Sequence, residues 1–148
     1  MSLQQRLTDS LKQAMIQKQA ERTGTLRLVK AALGYLQIEK KTDALTDADV
    51  LAVLQKEAKK RKDAIAGFEA GGRPESAANE RVELAIIEEF LPAALSAEEA
   101  EALVRAAIAE VGATSKKDMG AVMKAATARA GGRADGKVLS SLVGRLLP

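Results

Sequence analysis

The chain has 148 residues, 47% of them apolar, a formal net charge of +3, and neither His nor Cys. That length holds one domain or two small ones. The missing residue types remove the commonest general base, the thiol nucleophile and the preferred zinc ligands, so no catalytic residue, metal site or cofactor is expected. No G-x-x-x-x-G-K-[ST] or G-x-S-x-G stretch is present either, and no carboxylate pair stands apart from the helix-surface charges. With one Tyr and two Phe, packing must rest on Leu, Val, Ile and Ala, a mix that favours helices. No apolar run approaches the roughly 18 residues of a membrane span. The first ten residues, M-S-L-Q-Q-R-L-T-D-S, lack an apolar signal core. A cytoplasmic location without membrane contact is the expectation.

Ser2 and Gln5 form a capping-box pattern, and Leu3, Leu7, Leu11, Ala14 and Met15 follow at helical spacing. The pattern stops near Gln19, and Arg22-Thr23-Gly24 reads as a turn. A second helix is expected from about Thr25 with two apolar stripes. One is Leu26, Val29, Leu33 and Leu36; the other is Leu28, Ala31, Tyr35 and Ile38. A helix apolar on two sides is expected to be buried on two sides, as the centre of its domain; the alternative for the second stripe is an oligomer interface. Thr46 with Asp49 opens a third helix. Its stripe runs Leu54, Ala58, Arg61, Ile65 and Phe68, with Lys56, Lys59 and Lys60 opposite. Gly71-Gly72-Arg73-Pro74 ends it, and a Glu-rich fourth helix follows over 75–91 with Val82, Ile86, Ile87, Phe90 and Leu91 apolar.

Arg61 interrupts the apolar stripe. A buried guanidinium cannot lose its proton and must be paired. Glu57 one turn earlier and Glu80, Glu83, Glu88 and Glu89 on the fourth helix are the candidate partners. The favoured reading is a structural ion pair between helices three and four. The other reading makes Arg61 part of a binding site with Lys59 and Lys62.

Pro92-Ala93-Ala94-Leu95 is the best domain boundary. It divides the chain into 1–91, a four-helix domain, and 92–148, a three-helix domain; the fold class is all-α. Ser96 with Glu99 caps the fifth helix, which carries Leu103, Val104, Ala107, Ile108 and Val111 and ends at Gly112. Ser115 with Asp118 caps the sixth, with Met119, Val122, Met123 and Ala126 inward. Asp135 caps the last, with Val138, Leu139, Leu142, Val143 and Leu146 inward.

From Val111 onward there are seven basic residues against two acidic ones, a net of +5, whereas residues 1–110 carry a net of −2. A basic patch on a small helical module is the electrostatic footprint of a nucleic-acid binder. The candidate nucleic-acid-binding residues are Lys116, Lys117, Lys124, Arg129, Arg133, Lys137 and Arg145. At 100° per residue, Lys117 and Lys124 point away from the core among Gly120, Ala121 and Ala128. Lys137, Ser140, Ser141 and Gly144, with Arg145 at the edge, form the outward face of the last helix. Gly131, Gly132 and Gly136 permit an elbow whose N–H groups, with Arg133 and Lys137, suit a phosphate. An ordinary helix end capped by Asp135 is the equally available reading of that elbow. Tyr35, Phe68 and Phe90 all fall upstream on expected core faces, so recognition of a folded RNA by backbone and shape is favoured over base stacking.

S-K-K-D-M-G-A-V-M-K at 115–124 followed by G-R-A-D-G-K-V at 132–138 resembles the C-terminal domain shared by YqeY-type proteins and the B subunit of the tRNA-dependent amidotransferase. R-L-V-K-A-A-L at 27–33, K-x-R-K-D at 59–63 and F-L-P at 90–92 extend the resemblance over nearly the whole chain. It implies contact of the tail with the body of a transfer RNA, and a partner that is RNA or a tRNA-handling enzyme. The family label also suggests a carbon–nitrogen ligase using glutamine as amide donor, or a component of one; the missing ATP site and the absence of an obvious amidase nucleophile argue against the chain acting alone. A third possibility is a module that docks on an acidic protein. Composition and spacing leave the RNA species and the oligomeric state open.

Overall fold

The computed structural model describes all 148 residues, and the fold is all-α: seven helices, one 3-10 turn and no strand. No helix is long and apolar enough to cross a membrane. The chain divides into two compact units, Met1–Leu91 and Pro92–Pro148.

The first unit holds α1 (Leu3–Ile16), α2 (Ala20–Lys40), α3 (Asp47–Ala70) and α4 (Pro74–Glu88). Ser2 and Gln5 close a full capping box at α1, and Thr46 and Asp49 do the same at α3. The two helix starts are also tied together, because Leu3 N–H donates to Asp47 Oδ1 at 2.9 Å. Leu3, Leu7 and Leu11 of α1 pack with Leu26, Val29 and Leu33 of α2, Val50, Leu54 and Ala58 of α3, and Ile86 and Ile87 of α4. Phe90 closes this core, with the guanidinium groups of Arg6 and Arg22 over its ring at 5.6 and 5.9 Å from the centroid. Met15 lies outside it, exposed.

Helix α2 differs from the sequence expectation in two ways. It begins at Ala20, so Arg22-Thr23-Gly24 is helical and the turn lies at 17–19, where Lys18 has φ +56°. Thr25 joins the helix by donating its hydroxyl to the Glu21 carbonyl at 2.9 Å, and burial of Leu26 and Val29 overrides the weak local propensity. The second stripe is not buried: Leu28, Tyr35 and Ile38 are 52%, 75% and 76% exposed. One face of α2 therefore builds the core and the opposite face has no partner in the protomer.

Helices α3 and α4 form a hairpin across Gly71, Gly72 and Arg73, with φ +70° at Gly72 and Pro74 at the first helical position. Helix α4 ends at Glu88, four residues before Pro92. The chain turns there so that Phe90 reaches the core, and Val82 is left exposed. The apolar cluster stops at Ala58 on α3 and Ile86 on α4. Beyond it the hairpin is held by charge. The side chain of Arg61 is 8% exposed and pairs with Glu57 on its own helix and with Glu83 on α4, Nε to Oε2 at 3.3 Å. It also donates to the Glu57 carbonyl at 3.3 Å. Farther out, Arg81 pairs with Glu69, and the Arg73 guanidinium lies 5.1 Å from the centroid of Phe68. Ala77, fully buried, lets the two helices approach.

The second unit holds α5 (Ala97–Val111), a 3-10 turn (Lys116–Asp118), α6 (Met119–Ala130) and α7 (Gly136–Leu146) around Val104, Ala107, Val122, Ala126, Leu139, Val143 and Leu147. Ser96 and Glu99 close the capping box of α5, and Gly112 ends that helix with φ +71°. Val138 is exposed, so the apolar face of α7 is narrower than its sequence pattern.

Replacing Arg61 by Ala would leave the buried Glu57 carboxylate with only the exposed Lys60 as partner and would break the link to Glu83. Urea unfolding of the full chain should show a loss of about 1–3 kcal/mol, where an exposed pair such as Arg105–Glu101 would cost less than about 1 kcal/mol.

Candidate nucleic-acid interface

The seven basic residues of the tail separate into two groups. The three arginines are paired, all with carboxylates of α5. Arg129 Nε lies 2.8 Å from Glu110, Arg133 3.7 Å from Glu99, and Arg145 3.5 Å from Glu101. Each pair joins α5 to the segment after it, so the arginines tie α6, the elbow and α7 to one helix. The +5 of the tail is thereby moderated, because α5 brings four acidic residues and one arginine into the same unit and leaves it at +2. The sequence window missed this because it began one residue after Glu110.

The four lysines, Lys116, Lys117, Lys124 and Lys137, are exposed, and none has a carboxylate within ion-pair distance. Lys124 stands on the outer face of α6 with exposed Ala121 and Ala128, opposite the buried Val122, Ala126 and Ala130. Lys116 and Lys117 lie in the 3-10 turn that leads into α6, so the helical 100° step does not set their direction. The expected Ser115–Asp118 box does not form. Ser115 Oγ accepts from Lys117 N–H at 3.3 Å, and Asp118 Oδ2 accepts from Thr114 N–H at 3.1 Å. A 3-10 turn brings the acceptor one residue closer than an α-turn, which moves the cap. Lys137 occupies the first turn of α7, beside exposed Ser140 and Ser141. Gly144 does not belong to that outer face: a Cβ there would touch Met119 Cε at 3.6 Å, an ordinary van der Waals contact.

The elbow is held from within. Gly131 and Gly132 take φ +54° and +83°, which turns the chain after α6. Arg133 N–H donates to Ala130 O at 2.9 Å, Leu95 N–H donates to Arg133 O at 2.8 Å, and the Arg133 side chain donates to Ala93 O at 3.0 Å. Asp135 Oδ1 accepts from Val138 N–H at 2.9 Å. Two donors expected to receive a phosphate are thus engaged within the unit: the Arg133 N–H closes the turn on Ala130, and its side chain clasps Ala93 to the elbow.

Three of the four lysines stand at helix N-terminal ends, where the backbone already carries partial positive charge. A cation there does not favour its helix; it adds to the positive field, which the N-cap carboxylates Asp118 and Asp135 at the same two ends partly offset. Small or hydroxylated neighbours let an extended polyanion approach. The aromatic side chains lie outside this unit; Tyr35, expected to be core, is exposed on α2, while Phe90 is buried.

The fold and this surface define an all-helical protein whose C-terminal three-helix unit displays unpaired lysines. The sequence model of the Yqey-like protein family matches residues 4–147, and the chain belongs to that family. None of the curated proteins matches it.

The Glu99 carboxyl is held below the usual glutamate range, first by the Ser96 backbone N–H that donates to it and then by the Ser96 hydroxyl, with the Arg133 charge adding to both. A carboxyl depressed in the folded state stabilises the fold above its unfolded pKa, and that contribution is lost as pH falls through the folded value. Acid unfolding should therefore be less steep in Glu99→Gln. Carboxyl NMR titration should show Glu99 moving up toward its ordinary value in Ser96→Ala, which removes one side of the capping box.

Proposed function

We propose that this protein is a small cytoplasmic accessory protein that binds folded RNA, transfer RNA foremost, through its C-terminal unit. The observation that carries the reading is the placement of Lys116, Lys117 and Lys137 at the positive ends of two helices, unpaired, with Lys124 on a face of small residues. Arg129, Arg133 and Arg145 belong to the same surface but act mainly by holding it together. The motif resemblance to the tail of the amidotransferase B subunit supports the same direction. Recognition rests on phosphates and shape, since the surface offers no stacking platform.

The test is binding of transfer RNA to the full chain across a salt series. Lys117→Ala with Lys124→Ala should weaken affinity and flatten the log–log salt slope by about 1–2. Lys56→Ala with Lys59→Ala, on the solvated face of α3, should do less. Equal losses would mean diffuse attraction and remove the tail as a site. Ammonia release from glutamine without RNA binding would point instead to carbon–nitrogen ligase chemistry.

We also read the two units as separately folding domains, each with its own caps and apolar cluster. A fragment Pro92–Pro148 should be helical by circular dichroism and unfold with some cooperativity; with no disulfide and fewer than about 70 residues it will be marginal. A fragment without helical signal at any temperature would rule out the boundary.

A further inference from the structure

The outer face of α2 is the largest apolar feature that neither the core nor the proposed RNA surface uses. Leu28, Ala31, Tyr35 and Ile38 recur at alternating spacings of three and four, and Gly24 extends the row by another four. This is the seam pattern of two packed helices, not the broader face of a helix on a globular core. The seam is unpartnered: Leu28, Tyr35 and Ile38 are 52%, 75% and 76% exposed.

A second observation is independent of exposure. Helix α2 contains two interior glycines, Gly24 and Gly34. Glycine weakens a helix interior, so it calls for a reason. Neither takes a positive φ, and a Cβ built on either meets nothing within 4 Å. The protomer therefore gives no reason for them. Space for another helix would.

The seam is complementary to itself. Counting outward from Ala31, Gly24 and Ile38 lie seven residues to either side, Leu28 and Gly34 three, and Arg27 and Tyr35 four. In an antiparallel pair centred on Ala31, each Ile38 covers the other copy's Gly24 at the middle of the seam, and each Leu28 lies beside its Tyr35 on the same flank. Arg27, which has no carboxylate partner in its own protomer, lies on the other flank beside Gly34 of the second copy. The large Ile38 falls opposite a missing side chain, and small Ala31 faces itself where the axes come closest. A different protein would have to reproduce this arrangement; a second copy supplies it by symmetry.

We propose that the outer face of α2 is the interface of a symmetric dimer, in which two copies of this chain pack α2 antiparallel about Ala31. The contact is isologous and closes on itself, so it yields dimers and not filaments. Two such faces would cover on the order of 1,000 Å² in total, the lower end of specific interfaces, so dissociation on dilution is expected.

The test uses the full chain in sedimentation equilibrium over a concentration series. The parent should pass from one copy to two as concentration rises. Gly24→Leu should weaken the dimer at least tenfold by blocking Ile38 of the other copy. The same change should raise the melting temperature of the protomer, because it replaces an interior glycine where the Cβ has room. Loss of association therefore cannot come from unfolding. The chain has no Cys, so Ala31→Cys should form a disulfide-linked dimer on mild oxidation, faster than Ala52→Cys on the exposed side of α3. A single-copy mass at every concentration, with Ala31→Cys pairing no faster than the control, would overturn the proposal and leave the face to a helix of another protein. An undiminished dimer in Gly24→Leu would overturn it as well.

Discussion

The constraint on which much of this structure depends is that an arginine buried between helices must meet a carboxylate. Arg61 is the strongest case. Its guanidinium lies among buried residues, so Glu57 and Glu83 must converge on it. That convergence sets how α3 and α4 meet where the apolar cluster ends. Replacement of such a network by apolar side chains is often neutral or stabilising. Its role in this fold is therefore to specify the packing of a hairpin arm that has little apolar surface, more than to add net stability.

The same division of labour runs through both units. Arginines make the long-range pairs: Arg22 with Glu89, Arg81 with Glu69, and the three tail arginines with α5. Lysines pair only locally in sequence, Lys40 with Asp49 and Lys60 with Glu57, or stay in solvent. The physical basis is that the guanidinium is planar, weakly hydrated and fork-shaped, whereas the ammonium is compact and strongly hydrated. The exposed pairs are individually weak. Their geometric effect is still clear: they join helix to helix through arginines and leave most lysines in solvent.

Both proposals rest on surfaces that the protomer leaves unused. The lysine surface is electrostatic and tolerant of small changes in shape. The α2 seam is apolar and depends on a glycine, Gly24, placed opposite a large side chain, Ile38. The two lie on different units and are separable by mutation. A dimer through α2 would carry two basic units, which would add avidity toward an extended RNA wherever both can engage it.

Much of the architecture was legible in the chain itself. The all-α class, the capping boxes at Ser2, Thr46 and Ser96, the N-cap Asp135, the glycine ends at Gly112 and Gly131 and most core positions follow from local rules, because caps and the 3.6-residue period act over a few residues. The family followed from the tail motif. Tertiary structure alone decided three things. It extended α2 through Gly24, since burial of Leu26 and Val29 outweighs a weak local preference. It left the second stripe of α2 in solvent, because periodicity shows that a face is apolar but not whether anything covers it. And it divided the tail cations, since a charge count along the sequence cannot register that a neighbouring helix returns Glu99, Glu101 and Glu110 to the arginines and to none of the lysines.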